Sequence, residues 1–256
     1  MTTVTAIKVL STNLTYLHHC GAGRAFVVDP GDATAVLGLL RQHELTLTAI
    51  LVTHHHWDHV AGAADLQLKT RCELIGVGRT LVPAPDRVAS DGDILTLGEV
   101  TVQVMATPGH TRDSVCYYAP AQDGAAGAVY TGDTLFAGGC GRLLECDAPT
   151  MWQSLQSLAA LPPETLVCCG HDYTLENYEF AVTIDPNNRR LRDRLAEVQK
   201  ALEYGQLTVP STIAQERATN IFLQAGSPQV KAALDMPDAE PAQVFAELRS
   251  RKDGFG

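Results

Sequence analysis

Thr53-His54-His55-His56-Trp57-Asp58-His59 puts three imidazoles at metal-ligand spacing and one carboxylate into a single short stretch. The apolar run ahead of it, Leu47 to Val52, is short and β-prone, which predicts a buried strand. In extended backbone alternate side chains share a face, so His54 and His56 can address one metal while His55 points away. A helix predicted from Val60 to Leu68 turns Asp58 and His59 toward a second position close by. Two adjacent metal positions are the natural reading.

Working outward, the same arrangement recurs. Val100 to Met105 reads as a strand running into Thr107-Pro108-Gly109-His110-Thr111, where proline and glycine force a sharp turn. Ala128-Val129-Tyr130-Thr131 ends at Gly132-Asp133, and Thr165-Leu166-Val167-Cys168-Cys169 ends at Gly170-His171. Taken singly, a His or Asp after a strand is turn chemistry. Four strands delivering such residues describe converging ligands, because sites are commonly built from loops on a rigid scaffold. The set divides into His54, His56 and His110 for one metal and Asp58, His59 and His171 for the other, with Asp133 as the bridge. Imidazole and carboxylate ligation suits zinc, iron or manganese without choosing among them. Two such ions about 3.5–4 Å apart acidify a shared water toward neutrality, so no Ser or Cys nucleophile is needed.

Toward the N-terminus, Thr15-Tyr16-Leu17-His18 and Ala25-Phe26-Val27-Val28 flank a Gly21-Ala22-Gly23 turn, a hairpin signal. Asp29 after the second strand reads either as turn chemistry or as a carboxylate orienting a metal-bound histidine. His18, His19 and His43 lack partners at ligand spacing and read as structural or exposed. Asp32 to His43 has helical periodicity with Asp32 as cap, and a short strand follows around Leu74 to Val77. Strands separated by single helices predict an α/β layered domain over residues 1–172. After Tyr173 the strand signals stop. Asn188 to Tyr204 carries Leu191, Leu195, Val198 and Leu202 on one stripe, Ser227-Pro228 opens a further helix and Pro241 another, predicting a smaller helical domain over 173–256.

Composition narrows the function classes. The 256 residues are 45% hydrophobic and 19% charged, a globular balance, with a formal net charge of −10 that disfavours nonspecific nucleic-acid or acidic-membrane binding. No apolar stretch is long enough to span a bilayer and Met1 to Leu10 lacks signal-peptide character, so a cytoplasmic protein is expected. Seven scattered cysteines without a Cys-x-x-Cys pair point to a reducing compartment and to buried thiols.

As a set, the 53–59 stretch, Thr107-Pro108-Gly109-His110-Thr111, Gly132-Asp133 and Gly170-His171 resemble the metallo-β-lactamase superfamily. Within it the chain is most similar to the glyoxalase II (hydroxyacylglutathione hydrolase) family, through Asp133-Thr134-Leu135-Phe136-Ala137-Gly138-Gly139-Cys140-Gly141-Arg142, Gly170-His171-Asp172-Tyr173-Thr174, Asn220-Ile221-Phe222-Leu223 and Leu248-Arg249-Ser250-Arg251-Lys252-Asp253. The resemblance implies an αββα sandwich with a C-terminal helical domain closing over a glutathione site. It implies two divalent metals, zinc first with iron or manganese as alternatives, on the seven ligands named above. It also implies glutathione contacts from Arg142, Tyr173, Arg249 and Lys252, and a monomer acting on a small-molecule glutathione thioester. The reaction implied is hydrolysis of S-D-lactoylglutathione to D-lactate and glutathione, the second step of methylglyoxal detoxification, with a metal-bridging hydroxide as nucleophile. In that scheme Asp58 and Asp133 are the catalytic carboxylates. Arg249 and Lys252 share a helix face and suit a dianionic tail, although a solvated basic helix end would look the same. Leu144 stands in place of a family tyrosine and Ile221 in place of a proline. Rival readings are a glutathione persulfide dioxygenase, a lactonase or β-lactamase on the same fold, and a non-catalytic metal-binding or diiron redox protein.

Overall fold

The computed structural model describes residues 4–78, 83–122 and 124–255. Its first sheet joins β1 (Val4–Val9), β2 (Asn13–His19), β3 (Arg24–Val28), β4 (Thr46–Leu51), β5 (Glu73–Gly76) and β6 (Arg87–Val88) in that order. The β1–β2–β3 meander is antiparallel, and β3 through β6 run parallel. The second sheet runs β14 (Ser211–Thr212), β13 (Leu166–Cys169), β10 (Ala128–Gly132), β9 (Val115–Ala119), β8 (Val100–Ala106), β7 (Ile94–Leu97). A small ribbon of β11 (Leu135–Phe136) and β12 (Gly139–Cys140) stands apart.

The two sheets face each other across a core that includes Tyr16, Phe26, Leu51, Val102, Val104, Tyr117 and Tyr130. Val102 and Val104 point inward while Thr101 and Gln103 point to solvent, the period-2 alternation of a half-buried strand. A buried phenol needs a partner for its hydroxyl. Here those partners staple the layers together: Tyr16 donates to the Cys169 carbonyl at 2.9 Å, Tyr117 to the Val52 carbonyl at 2.9 Å, and Tyr130 pairs with His18 Nδ1 at 2.6 Å.

Against the outer face of the first sheet pack α1 (Ala33–Gln42) and α3 (Ala63–Thr70), burying Val36, Leu40 and Leu66 on Val27 and Ile50. Outside the second sheet, α4 (Ala148–Ala159) shares one apolar cluster with residues of α5 (Thr174–Ile184), α6 (Arg189–Glu203), α7 (Ile213–Thr219), α8 (Pro228–Ala233) and α9 (Pro241–Asp253). The architecture is the expected αββα sandwich with a helical C-terminal region.

Three details differ from the sequence reading. The helix expected over Val60–Leu68 is two, α2 (Trp57–Val60) and α3, because the Gly62 amide leaves the helix to bond the Pro30 carbonyl. β14 adds a strand after Tyr173, too short at two residues to register as an alternation. Leu202, on the expected apolar stripe of α6, is exposed in its last turn.

Candidate metal centre and adjoining cavity

Strands β8 and β10 both run antiparallel to β9, and β13 runs parallel to β10, so these three strands end on one edge of the second sheet. The turns there deliver His110, Asp133 and His171, and the end of β4 brings His54, His56, Asp58 and His59 from the first sheet. Close approach is permitted by glycine. Gly132 has φ +47°, and a Cβ there would meet Thr53 Oγ1 at 2.2 Å; one on Gly170 would meet Asp133 Oδ1 at 2.5 Å.

Two groups of donors result. In the first, His56 Nδ1 lies 3.1 Å from His54 Nε2 and 3.0 Å from His110 Nε2, and Asp133 Oδ2 is 3.5 Å from His110 Nε2. In the second, His171 Nε2 is 3.3 Å from both His59 Nε2 and Asp58 Oδ2. Asp133 joins the two, with Oδ1 3.4 Å from His59 Nε2 and Oδ2 3.5 Å from His171 Nε2. All seven ligands expected from the sequence therefore converge.

The backs of the rings show what the fronts present. Asp29 Oδ1 accepts from the Thr53 amide at 2.8 Å, and Oδ2 accepts from Thr53 Oγ1 at 2.7 Å and from His59 Nδ1 at 3.0 Å. With its proton committed to Asp29, the Thr53 hydroxyl can only accept from His54 Nδ1, 3.0 Å away. One carboxylate thus fixes the tautomers of a histidine in each group, and Asp29 is an orienting residue as well as a turn residue, with φ +50°. His110 Nδ1 faces the Arg142 carbonyl at 3.0 Å, and His171 Nδ1 faces Thr12 Oγ1 at 3.1 Å. Nδ1 is so held as the donor in His54, His59 and His110, which leaves the Nε2 lone pair of each neutral ring directed inward. Facing lone pairs repel unless a cation lies among them, and buried Asp133 Oδ1 has no hydrogen-bond partner. The donor set fits a pair of divalent cations.

Protonation follows the same geometry. Burial pushes the Asp58 and Asp133 carboxyls up, but the surrounding imidazoles outweigh it and hold both well below the usual carboxylate range. Burial lowers His54, His56 and His110, leaving neutral rings. Burial also pushes His171 down, yet its bonds to Asp133 and Asp58 carry it up to about 9, and His59 is likewise raised by Asp133 and Asp29. Carboxylates that draw protons onto these two rings would equally draw a cation.

A cavity of about 400 Å³ opens beside this cluster, lined by His110, Asp133, Arg142, Tyr173, Arg249 and Lys252 among others. Tyr173 stacks on His171 with ring centroids 4.8 Å apart. Arg142 is exposed, whereas Arg249 is buried with Nη1 donating to the Cys140 carbonyl at 2.8 Å. Lys252 Nζ donates to the Glu176 carbonyl at 3.3 Å. Leu144 is exposed.

Several supporting residues carried no sequence signal. Asn13 donates to Asp58 Oδ2 at 2.8 Å from a strand end over forty residues away. Glu216 Oε2 accepts from the Gly138 amide at 2.8 Å, and Asn220 Nδ2 donates to the Gly139 carbonyl at 2.9 Å, clamping the Asp133–Arg142 segment from the C-terminal helices. Only Asn220 lay in a quoted motif.

Fold and site together define a metallo-β-lactamase-fold protein with a paired His/Asp metal cluster. Residues 7–171 match the profile of the metallo-beta-lactamase superfamily, and residues 172–255 that of the hydroxyacylglutathione hydrolase C-terminus. The hydroxyacylglutathione hydrolase of Rhodospirillum rubrum is 43% identical over 97% of both chains, and that of Brucella anthropi 47% identical over 89% of this chain and 87% of its own. Among solved structures, ETHE1 from Myxococcus xanthus aligns over 99% of both chains with a TM-score of 0.65 and 25% identity. The chain belongs to the hydroxyacylglutathione hydrolase (glyoxalase II) family. No helix among the described residues is long and apolar enough to cross a membrane.

Proposed function

We propose that the chain hydrolyses S-D-lactoylglutathione to D-lactate and glutathione. The observation that carries this reading is the single cavity joining the metal cluster to Arg142, Tyr173, Arg249 and Lys252. A thioester carbonyl at the cluster leaves the peptide tail to run along the cationic wall, where Arg142 and Lys252 meet its carboxylates. The metals would sit on His54, His56 and His110 and on Asp58, His59 and His171, bridged by Asp133, with zinc first and iron or manganese as alternatives. Bound there, they supply Lewis acidity, which polarises the thioester carbonyl and acidifies water near neutral pH.

The remaining work falls to the chain. Asp58 and Asp133 stay ionised, and Asp58 is pinned by Asn13, so both serve as fixed anions. The departing thiol has a pKa of about 8.5 and leaves as thiolate without a strong general acid. Residues 1–172 carry the cluster in this reading and 173–256 most of the cationic wall, so one chain suffices as a monomer. A cytoplasmic setting accords with seven unpaired cysteines.

Loss of thioester absorbance on S-D-lactoylglutathione tests the proposal, run beside a chelator-treated sample and a simple non-glutathione thioester. Chelator-sensitive turnover that strongly favours the glutathione substrate is expected. No turnover with both metal positions filled would refute it, and elemental analysis of purified protein reads the metal.

A further inference from the structure

Asp253 is the last residue of α9, one turn beyond Arg249. Its Oδ1 lies 3.0 Å from Arg249 Nη2 and 3.8 Å from Arg142 Nε, so one carboxylate oxygen faces two guanidiniums from distant parts of the chain. Lys252, beside it, completes a three-cation cluster on the cavity wall. Within the helix, Asp253 makes an i,i+4 pair with Arg249, with the cation on the N-terminal side, the weaker orientation. A negative charge at a helix C-terminus opposes the macrodipole, and the preferred residues at that end are basic. Arg142, from the far side of the cavity wall, adds a second cation that the helix does not supply.

We propose that Asp253 is an internal counter-anion of the cationic wall: paired with Arg249 and facing Arg142 from behind the cavity lining, it lowers the positive potential that a carboxylate of the incoming thioester meets, and so sets the affinity of the site for anionic tails. The inference rests on the hydrolase reading above. Substrate and product share the same carboxylates, so three cations balanced only by Glu176 on the same wall would hold released glutathione as firmly as the thioester. Binding that is equally strong in ground and transition states lowers KM without raising kcat. A resident carboxylate weakens that uniform component. Arg249, buried and bonded to the Cys140 carbonyl, needs a hydrogen-bond acceptor at Nη2, and an amide oxygen meets that need without the charge.

The test is steady-state kinetics of metal-loaded wild type, Asp253→Asn and Asp253→Glu at low ionic strength, on S-D-lactoylglutathione and on its dimethyl ester. For Asp253→Asn, KM on the free acid and the inhibition constant of glutathione should both fall about fivefold, as expected for removing one like charge a few ångströms from the bound carboxylate at a partly exposed site. KM on the diester should not move, kcat should not rise, Asp253→Glu should behave as wild type, and salt should shrink the difference. A KM on the free acid that is unchanged or higher in Asp253→Asn, or an equal change on the diester, would overturn the proposal. If wild type hydrolyses neither thioester, the hydrolase reading fails instead. Calorimetric binding of glutathione then still decides the role of Asp253, with tighter binding by Asp253→Asn expected and equal or weaker binding refuting it.

Discussion

Replacing Asn220 with alanine should cost both stability and the metal site, although Asn220 is not among the expected ligands. Asn220 is fully buried and its amide meets four partners: the two Nδ2 protons are shared among Gly139 O at 2.9 Å, Glu216 Oε2 at 3.0 Å and Phe136 O at 3.3 Å, and Oδ1 accepts from the Phe222 amide at 3.0 Å. Each buried polar group left without a partner costs about 1–3 kcal/mol, and relaxation recovers part of the sum, giving a loss of about 3–5 kcal/mol. With a urea m-value of about 3 kcal/mol/M the unfolding midpoint should fall by roughly 1 M or more. The loosened stretch, residues 136–139, continues into Arg142, whose carbonyl orients His110, so metal content and kcat/KM should fall with it. Asn220→Asp separates hydrogen bonding from packing. It keeps the acceptor for Phe222 but turns an oxygen toward three acceptors, and at pH 8 it should be at least as unstable as the alanine variant. An aspartate variant as stable as wild type, or an alanine variant whose midpoint moves by less than a third of the expected shift, would refute the clamp.

Asp29→Asn should weaken metal binding in both halves of the centre by about 10–100-fold, since a carboxamide has one accepting oxygen and cannot serve the Thr53 amide on one side and the Thr53 hydroxyl and His59 on the other; chelator competition reads it, and unchanged affinity would contradict the shared-orienter role. His18 is lowered to about 4 by burial and then by neighbouring His19, so the fold binds it neutral. The stability this confers is present above the unfolded value of about 6.5 and is lost as pH falls toward about 4; between pH 7.5 and 5 wild type should lose about 2 kcal/mol more than His18→Gln in urea unfolding. Parallel pH slopes would show that His18 does not titrate this way. Of the seven thiols only Cys146 is partly exposed, and burial pushes Cys116 and Cys169 up to about 12. A thiol reagent should therefore find one fast equivalent in the native protein and the others only after denaturation, whereas three or more fast equivalents would contradict the packing.

The converging His/Asp cluster was legible because it is written locally. Each member follows an apolar strand across a turn, and period-2 spacing separates His54 and His56 from His55 whatever the rest of the chain does. The layered order of strands and helices was legible for the same reason, since it depends on hydrophobic periodicity within short windows. Elements below that window were not: β14, and the division of one expected helix into α2 and α3 by a hydrogen bond from Gly62 to Pro30. Nor were the groups behind the cluster. Asn13 on Asp58, Thr12 on His171, and Glu216 and Asn220 on the Gly138–Gly139 turn act through contacts spanning tens to more than a hundred residues, set by how the two sheets and the C-terminal helices stack. Asp29 lies between these cases. The sequence left it with two roles, and only the approach of Thr53 and His59 from neighbouring elements gave it the second. By itself, then, the sequence determined which histidines and aspartates come together at the strand ends, through local spacing. The tertiary structure alone decided how each is oriented and which charges face it, because tautomer, burial and pairing belong to contacts that exist only once the layers have packed.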